Sequence, residues 1–193
     1  MNSYTLNLKP LANKITVEHF EQLCQLNPEL RLETNYQGEL IIMSPTGYET
    51  GMNNADLLIQ LGIWNRQYNL GIVCDSSTGF ILPNGAIRSP DVSWIAKERV
   101  TQFSKEEKTK FLPLTPDFVL ELMSLSDQLK TTQEKMREYR DNGVKLGWLI
   151  NPQQQQVEIY RPEKPTEVVN KPSSLSGEAI LPNLVIELDF IWN

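Results

Sequence analysis

The stretch PDFVLELM at residues 116–123 is a nearly continuous apolar run of strand length with a glutamate, Glu121, in its interior. Such runs are typical of strands that are buried on both faces of a sheet. Because successive side chains of a strand point to opposite faces, we expect Val119, Glu121 and Met123 to share one face. A buried charge is costly unless it is paired or binds a metal, so Glu121 requires a partner or a function.

Helical and strand-like segments surround this stretch. Apolar residues at helical intervals predict helices over residues 16–26, 52–68 and 127–142. Thr46 and Glu49 have the spacing of a capping box before the second of these helices. Shorter segments bounded by Gly, Pro, Asn and Ser predict strands. These are residues 30–44, as a hairpin around Gly38, and residues 72–74, 79–82, 88–95, 146–150, 157–160 and, after a loop over 164–177, residues 179–192.

This order of elements predicts an α/β fold, with a mixed central sheet flanked by helices and extra antiparallel strands at both ends. A chain of 193 residues with 40% hydrophobic residues can build one buried core. We therefore expect a single domain over residues 1–193, with its core at about residues 46–152.

The composition excludes several kinds of chemistry. His19 is the only histidine, and it lies near a helix start where a solvated side chain is the simplest interpretation. Multi-histidine zinc sites are excluded, and Ser-His-Asp or Cys-His catalysis is disfavoured. Cys24 and Cys74 are the only cysteines and do not form a Cys-x-x-Cys pair, which argues against a disulfide framework and a zinc knuckle.

The N-terminal sequence and the charge bear on location and partners. The sequence MNSYTLNLKP lacks the basic start and apolar run of a signal peptide, and no stretch has the length of a membrane span. We therefore expect a cytoplasmic protein without a membrane partner. The net charge of −6 argues against a nucleic-acid partner, although basic side chains can still line a separate groove.

Asp91 and Glu121 are the candidate metal ligands. Each lies in or beside a predicted strand, and Mg²⁺ is commonly held by one or two carboxylates together with water and substrate phosphate. The alternative is structural: Glu121 forms a buried ion pair with Lys135 or Arg137, and Asp91 caps the turn after Pro90. The residues alone leave both interpretations open.

An ordered set of motifs resembles the Uma-type family of restriction endonucleases, within the PD-(D/E)xK nuclease superfamily. The motifs are RSPDVSWI at 88–95, PDFVLELMSLSD at 116–127, QEKMREY at 133–139, NGV at 142–144 and GWLINP at 147–152. The resemblance covers about residues 15–192. It implies a restriction-endonuclease-like core in αβββαβ order, which agrees with the elements described above.

The resemblance also implies an active site. Asp91 corresponds to the superfamily aspartate and Glu121 to the glutamate of the (D/E)xK element, with Mg²⁺, or alternatively Mn²⁺, as the cofactor. The lysine expected two residues later is Met123 here, and the family pattern moves that lysine to Lys135 on the following helix. Glu49 matches a glutamate that serves many superfamily members as a metal or supporting ligand.

Ser124 and Tyr139 are further candidates for orienting the site, and Lys130 is a second candidate for the displaced lysine. The implied function is hydrolysis of DNA phosphodiester bonds by a metal-dependent endonuclease. A two-fold homodimer would be the simplest arrangement for a double-strand cut. The alternative, suggested by Met123 and by the net charge, is an inactive nuclease fold that binds nucleic acid or another partner.

Overall fold

The computed structural model describes residues 3–6 and 15–192. The helices are α1 (Val17–Leu26), α2 (Tyr48–Tyr68), α3 (Lys97–Thr101) and α4 (Leu129–Asp141), with 3₁₀ turns at Glu107–Thr109 and Asp189–Ile191. The strands are β1 (Ser3–Leu6), β2 (Arg31–Thr34), β3 (Leu40–Met43), β4 (Gly71–Asp75), β5 (Phe80–Ile81), β6 (Ile87–Arg88), β7 (Val92–Ala96), β8 (Phe118–Leu122), β9 (Leu146–Asn151), β10 (Gln156–Tyr160), β11 (Glu167–Asn170), β12 (Ser174–Ser176) and β13 (Val185–Glu187).

The central sheet has six strands in the order β11-β10-β9-β8-β7-β4. β8 and β9 are parallel, and every other neighbouring pair in this sheet is antiparallel. A parallel pair needs a long crossover connection, which α4 supplies here. The elements α2, β4, β7, β8, α4 and β9 follow one another in αβββαβ order, with β5 and β6 inserted after β4, and α3 and a 3₁₀ turn inserted after β7. The predicted fold class is confirmed.

Both faces of the central sheet are covered, which is why its strands are apolar on both sides. On one face, Phe118 and Leu120 of β8 pack with α2 and the C-terminal segment. On the other face, Val119 and Met123 pack with α4. The predicted alternation along β8 is confirmed, and it turns the side chain of Glu121 toward α4.

A second sheet, in the order β1-β3-β2-β6-β5, is formed largely by the N-terminal region. β2 and β3 make the predicted hairpin, and Gly38 in its turn has a φ of 77° that favours glycine. α1 begins after Thr16, whose hydroxyl accepts a hydrogen bond from the backbone N–H of His19. Phe20 is buried between this helix and the sheet.

The side chain of His19 is exposed, as predicted. Cys24 and Cys74 are free thiols. Within residues 3–6 and 15–192, no helix is both long enough and apolar enough to cross a membrane.

The start of α2 differs from the prediction. The helix begins at Tyr48 with Gly47 as its N-cap, and no side chain caps it. The predicted capping box between Thr46 and Glu49 is wrong, because the chain enters the helix one residue later than that box requires. The hydroxyl of Thr46 is instead buried without a hydrogen-bond partner among the described residues.

The C-terminal region also differs from the prediction. Residues 164–177, predicted as a loop, contain β11, which adds an edge strand beside β10, and β12. The β-branched residues Val168 and Val169 pair with β10, and the high content of Pro and Ser obscured this signal. The predicted final strand is reduced to the three residues of β13, which pair with β12.

Alanine substitutions at two glycines, one tightly packed and one not, test the packing of this fold. A Cβ atom at Gly71 would lie 2.3 Å from the backbone oxygen of Ile95, whereas a Cβ atom at Gly62 would have no neighbour within 4 Å. We expect Gly71→Ala to lower the free energy of unfolding by about 1–3 kcal/mol. Gly62→Ala, inside α2, should raise it by about 0.5–1 kcal/mol. Urea unfolding measures both, and effects of the same sign would contradict this account.

Candidate active site

The register of β7 and β8 places Asp91 beside Glu121. Val92 pairs with Leu120, so Asp91, one residue earlier, lies opposite Glu121 on the same face of the sheet. The backbone N–H of Leu122 donates a hydrogen bond of 2.9 Å to Asp91 Oδ2. The Asp91 side chain thus satisfies a β8 donor at the point where β7 begins, and this bond fixes the carboxylate next to Glu121.

Lys135 reaches the same carboxylate from α4. Its Nζ lies 2.8 Å from Glu121 Oε1 and 3.1 Å from Glu33 Oε1. The hydroxyl of Tyr139, four residues further along α4, donates a hydrogen bond of 3.1 Å to Glu121 Oε1. Met123 is buried against α4. The ammonium group near Glu121 therefore comes from the helix and not from the strand.

Glu33 of β2 is a buried carboxylate that the sequence analysis missed. Besides Lys135, it contacts Arg88 Nη1 at 3.1 Å and accepts a hydrogen bond of 2.9 Å from the backbone N–H of Ser89. Arg88 also donates from Nε to Glu138 of α4, at 2.6 Å. Arg88 and Lys135 are 55 and 102 residues away from Glu33 along the chain. No local sequence pattern could have shown these contacts.

This buried cluster carries more negative than positive charge. Four carboxylates surround two cations, so two negative charges are left over when every group is ionised. The groups are Glu33, Asp91, Glu121, Glu138, Arg88 and Lys135. An additional cation would offset the repulsion among the carboxylates.

The pKa values of the carboxyl groups reflect this imbalance. Burial, together with the nearby Asp91 and Glu33, raises the pKa of Glu121 to about 8 in spite of Lys135. Burial also raises the pKa of Asp91. Burial alone would raise the pKa of Glu33, but Lys135 and Arg88 outweigh it and lower that pKa. Asp91 and Glu121 therefore hold a proton more readily than ordinary carboxyl groups of their type, and Glu33 holds one less readily.

The cluster opens into a cavity of about 750 Å³, which Asp91, Glu121 and Lys135 help to line. Hydrogen bonds reach one oxygen of each strand carboxylate, Oδ2 of Asp91 and Oε1 of Glu121. The second oxygens accept no hydrogen bond from the described part of the chain. The exposed residues Arg31 and Arg137 also line the cavity. The site therefore offers free carboxylate oxygens with cationic groups nearby.

Residues 17–189 match the model of the Uma2 family, whose description is "Putative restriction endonuclease". The chain belongs to the Uma2 family. A solved structure with a similar fold is a putative nuclease belonging to DUF820 from Anabaena variabilis ATCC 29413, with a TM-score of 0.76 and 18% identity over 92% of this chain and 97% of that one. At this identity the likeness shows the fold alone. No curated protein matches the chain.

Three other candidate residues of this Uma2 chain lie apart from the cluster. Glu49 is exposed in the first turn of α2 and lines a second cavity. Ser124 also lines that cavity, and it donates to Asp127 from its backbone N–H at 2.7 Å and from its hydroxyl at 2.9 Å. Lys130 is exposed near the start of α4. Among the helix candidates, Lys135 and Tyr139 are the ones that contact Glu121.

The donor atoms of the Uma2 site fit a hard divalent cation. Asp91 and Glu121 supply carboxylate oxygens, which Mg²⁺ prefers and which it commonly supplements with water and substrate phosphate. In the parts of the chain that the structure describes, no group of three or more His, Cys, Asp or Glu side chains has an arrangement that could hold a metal ion. The two carboxylates would thus supply only part of the ligands of such a cation.

Arg88 is expected to contribute strongly to the stability of this Uma2 site. We expect Arg88→Met to lower the free energy of unfolding by about 3–5 kcal/mol, because it leaves Glu33 and Glu138 buried with one cation fewer. Arg140→Met is the control, since Arg140 pairs with an Asp141 side chain that is 62% exposed and should contribute at most about 1 kcal/mol. Equal losses in urea unfolding would contradict the proposed importance of the buried network.

Proposed function

We propose that this chain is a divalent-metal-dependent endonuclease of the PD-(D/E)xK type that hydrolyses DNA phosphodiester bonds. The observation that carries the proposal is the meeting of Asp91, Glu121 and Lys135 in one cavity of a Uma2 chain. One divalent cation would also offset the two excess negative charges of the cluster. We propose Mg²⁺, with Mn²⁺ as a substitute, bound by Asp91 and Glu121, because both ligands supply oxygen.

Each residue has a separate role in this proposal. When bound, a divalent cation withdraws charge from the phosphodiester and favours attack by water. The ammonium group of Lys135 stabilises the negative charge that develops on the phosphate oxygens as the bond to the leaving oxygen breaks. The hydroxyl of Tyr139 orients Glu121, and Glu33 holds Lys135 from its other side. These two are positioning residues.

The substrate must enter a cavity in whose lining acidic side chains outnumber basic ones. The exposed Arg31 and Arg137 are suited to phosphate groups of the backbone, which supply most of the affinity in protein–DNA contacts. The net charge of the chain is −6, and it opposes the approach of DNA. We therefore expect tight DNA binding to depend on the divalent cation, and to weaken as salt is raised.

A cleavage assay tests the proposed function. The purified chain is expected to nick or linearise supercoiled plasmid with Mg²⁺ or Mn²⁺, to stop when EDTA is added, and to resume when Mg²⁺ is restored. Cleavage that continues in EDTA would contradict the metal requirement. Failure to cut several supercoiled and single-stranded DNAs with either metal would contradict the nuclease function.

The raised pKa of Glu121 gives the metal affinity an expected pH dependence. Below about pH 8 the carboxyl group is largely protonated, so a cation must displace a proton in order to bind. The apparent affinity for Mn²⁺ should rise by up to about tenfold per pH unit as the pH increases toward 8, and then level off. Titration calorimetry over this range measures it. A flat profile would contradict Glu121 as a ligand.

The second candidate function is a nuclease fold that binds DNA without cutting it. Met123 and the direct contact between Lys135 and Glu121 favour this alternative, because a buried ion pair can be purely structural. It predicts DNA binding that is unchanged by EDTA and no cleavage with any metal. We favour the enzyme because the second oxygens of Asp91 and Glu121 are left free of hydrogen bonds from the described residues.

We further propose that two copies act together on duplex DNA, with one site for each strand. Light scattering of the chain with and without a DNA duplex tests this proposal. A mass that corresponds to two copies in the complex would support it. A complex that contains a single copy and still makes double-strand cuts would contradict it.

A further inference from the structure

The N-terminus of α2 faces a second cavity. The helix has 21 residues, and its N-cap, Gly47, has no side chain to accept a hydrogen bond from the first turn. The first helical bond runs from Gly51 N to Gly47 O. The backbone N–H groups of Tyr48, Glu49 and Thr50 therefore have no acceptor among the described residues. Free N–H groups at the positive end of a long helix favour a negatively charged ligand.

Asn53 gives a second and independent indication of a ligand. It is 3% exposed and lines the same cavity, yet its amide forms no hydrogen bond within the described part of the chain. Its Oδ1 atom is sealed from solvent, whereas Nδ2 is not. The side chain therefore presents an unpaired donor to the cavity. Because Nδ2 is a donor that is accessible from the cavity, an oxygen of a ligand can accept a hydrogen bond from it.

The second cavity, of about 700 Å³, adjoins the candidate active site. Leu122, the residue that follows Glu121, lines both cavities. Met123 and Ser124, which come next in the chain, line the second one. Both cavities thus border the end of β8. A strand of DNA with one phosphate at Glu121 could continue past this strand end toward α2.

We propose that the second cavity binds the phosphodiester next to the one that is cut, through the N-terminus of α2 and the amide of Asn53. The proposal rests on the proposed function, because it assumes that the cleaved phosphate lies at Asp91 and Glu121. The described residues that line the second cavity include no Lys or Arg. Neutral donors suit a singly charged phosphodiester better than a doubly charged terminal phosphate. Such a contact fixes the register of the strand without reading its sequence.

The proposal predicts the direction in which a substitution at Glu49 changes the affinity for DNA. Its side chain is the acidic one in the described lining of the cavity, and it lies in the first turn of α2 where an anion would bind. Glu49→Gln should therefore tighten DNA binding by about two- to fivefold. A metal-ligand role for Glu49 predicts weaker metal binding and slower cleavage instead. The two roles of Glu49 are thus separated by the direction of the change.

The test measures binding in the absence of metal. The parent protein is the full chain with both Asp91→Asn and Glu121→Gln. It cannot hold the proposed metal, and it has fewer negative charges that repel DNA. It is titrated in EDTA with a fluorescein-labelled single-stranded oligonucleotide. Adding Asn53→Leu should weaken binding about tenfold. Asn54→Leu is the matched control, because Asn54 lies on the same helix with a buried, unpartnered amide oxygen but does not line the cavity. It should change the affinity by less than about twofold.

An abasic oligonucleotide separates phosphate from base binding. It keeps the phosphodiesters and lacks the bases, so Asn53→Leu should weaken its binding by the same factor. If the effect of Asn53 vanishes with the abasic strand, the cavity binds a base and the proposal is overturned. The proposal is also overturned if the Asn53→Leu and Asn54→Leu proteins bind the oligonucleotide equally well. It is likewise overturned if the protein that carries only Asp91→Asn and Glu121→Gln does not bind the oligonucleotide. None of these measurements needs cleavage, so a wild-type chain that cuts no DNA would overturn the proposed function separately.

Discussion

Asp91→Asn and Glu121→Gln are each expected to reduce Mg²⁺-dependent cleavage by roughly 10³-fold or more. A bound metal contributes several kcal/mol to stabilising the transition state, and a loss of about 4 kcal/mol corresponds to about 10³-fold in rate. Each substitution replaces a carboxylate by an amide of the same shape. The Asp91→Asn protein should still fold, because the amide oxygen at that position can accept the hydrogen bond from the backbone N–H of Leu122.

The controls for these two variants come from the same cavity. Asp141→Asn and Glu134→Gln remove exposed carboxylates that line the cavity away from β8, and they should change the rate by less than about twofold. Glu121→Gln should not lower the melting temperature, because burial already raises the pKa of this group to about 8. A variant at Asp91 or Glu121 that folds and retains wild-type cleavage would remove that residue from the site.

Lys135→Met is expected to reduce cleavage by roughly 10²- to 10³-fold, the usual loss when one charge-stabilising donor is removed. Metal affinity should not fall in this variant, because Lys135 competes with a cation for the carboxylate of Glu121. A lower rate with unchanged or tighter metal binding distinguishes charge stabilisation from a purely structural role. Single-turnover cleavage at saturating Mg²⁺, together with Mn²⁺ titration, measures the two quantities.

Lys130→Met is the control for this prediction. Lys130 lies on the same helix and is exposed, so its loss should leave the cleavage rate within about twofold. Lys135→Arg should recover part of the activity, since the charge is kept but the guanidinium has a different shape and hydrogen-bonding geometry. If Lys135→Met cleaves as the wild type does, the ion pair with Glu121 is structural. The lysine of this site would then have to be found elsewhere.

Much of the fold could be predicted because its signals are local. The alternation of side-chain direction along β8 determined which face carries Glu121, and the register with β7 brought Asp91 to the same place. The contact between Lys135 and Glu121 was foreseen in two forms, as a structural ion pair and as a catalytic pair. The structure shows the contact and leaves its role as a proposal.

The remainder of the site depends on contacts between distant parts of the chain. Glu33 lies in a short strand of mixed composition, and nothing near it indicates that Arg88 and Lys135 will surround it. The prediction of where α2 starts was wrong for a more local reason. The local sequence here is compatible both with a capping box and with a glycine N-cap one residue later, and the structure has the glycine N-cap.

The most direct test of this account is an anomalous diffraction map from a crystal of the protein soaked in Mn²⁺. We expect a single strong peak between the carboxylates of Asp91 and Glu121, within reach of their free oxygens. We also expect that peak to be absent from crystals of the Glu121→Gln variant. No peak in this cavity, or a peak held by other carboxylates while Asp91 and Glu121 remain bare, would contradict the proposed metal site.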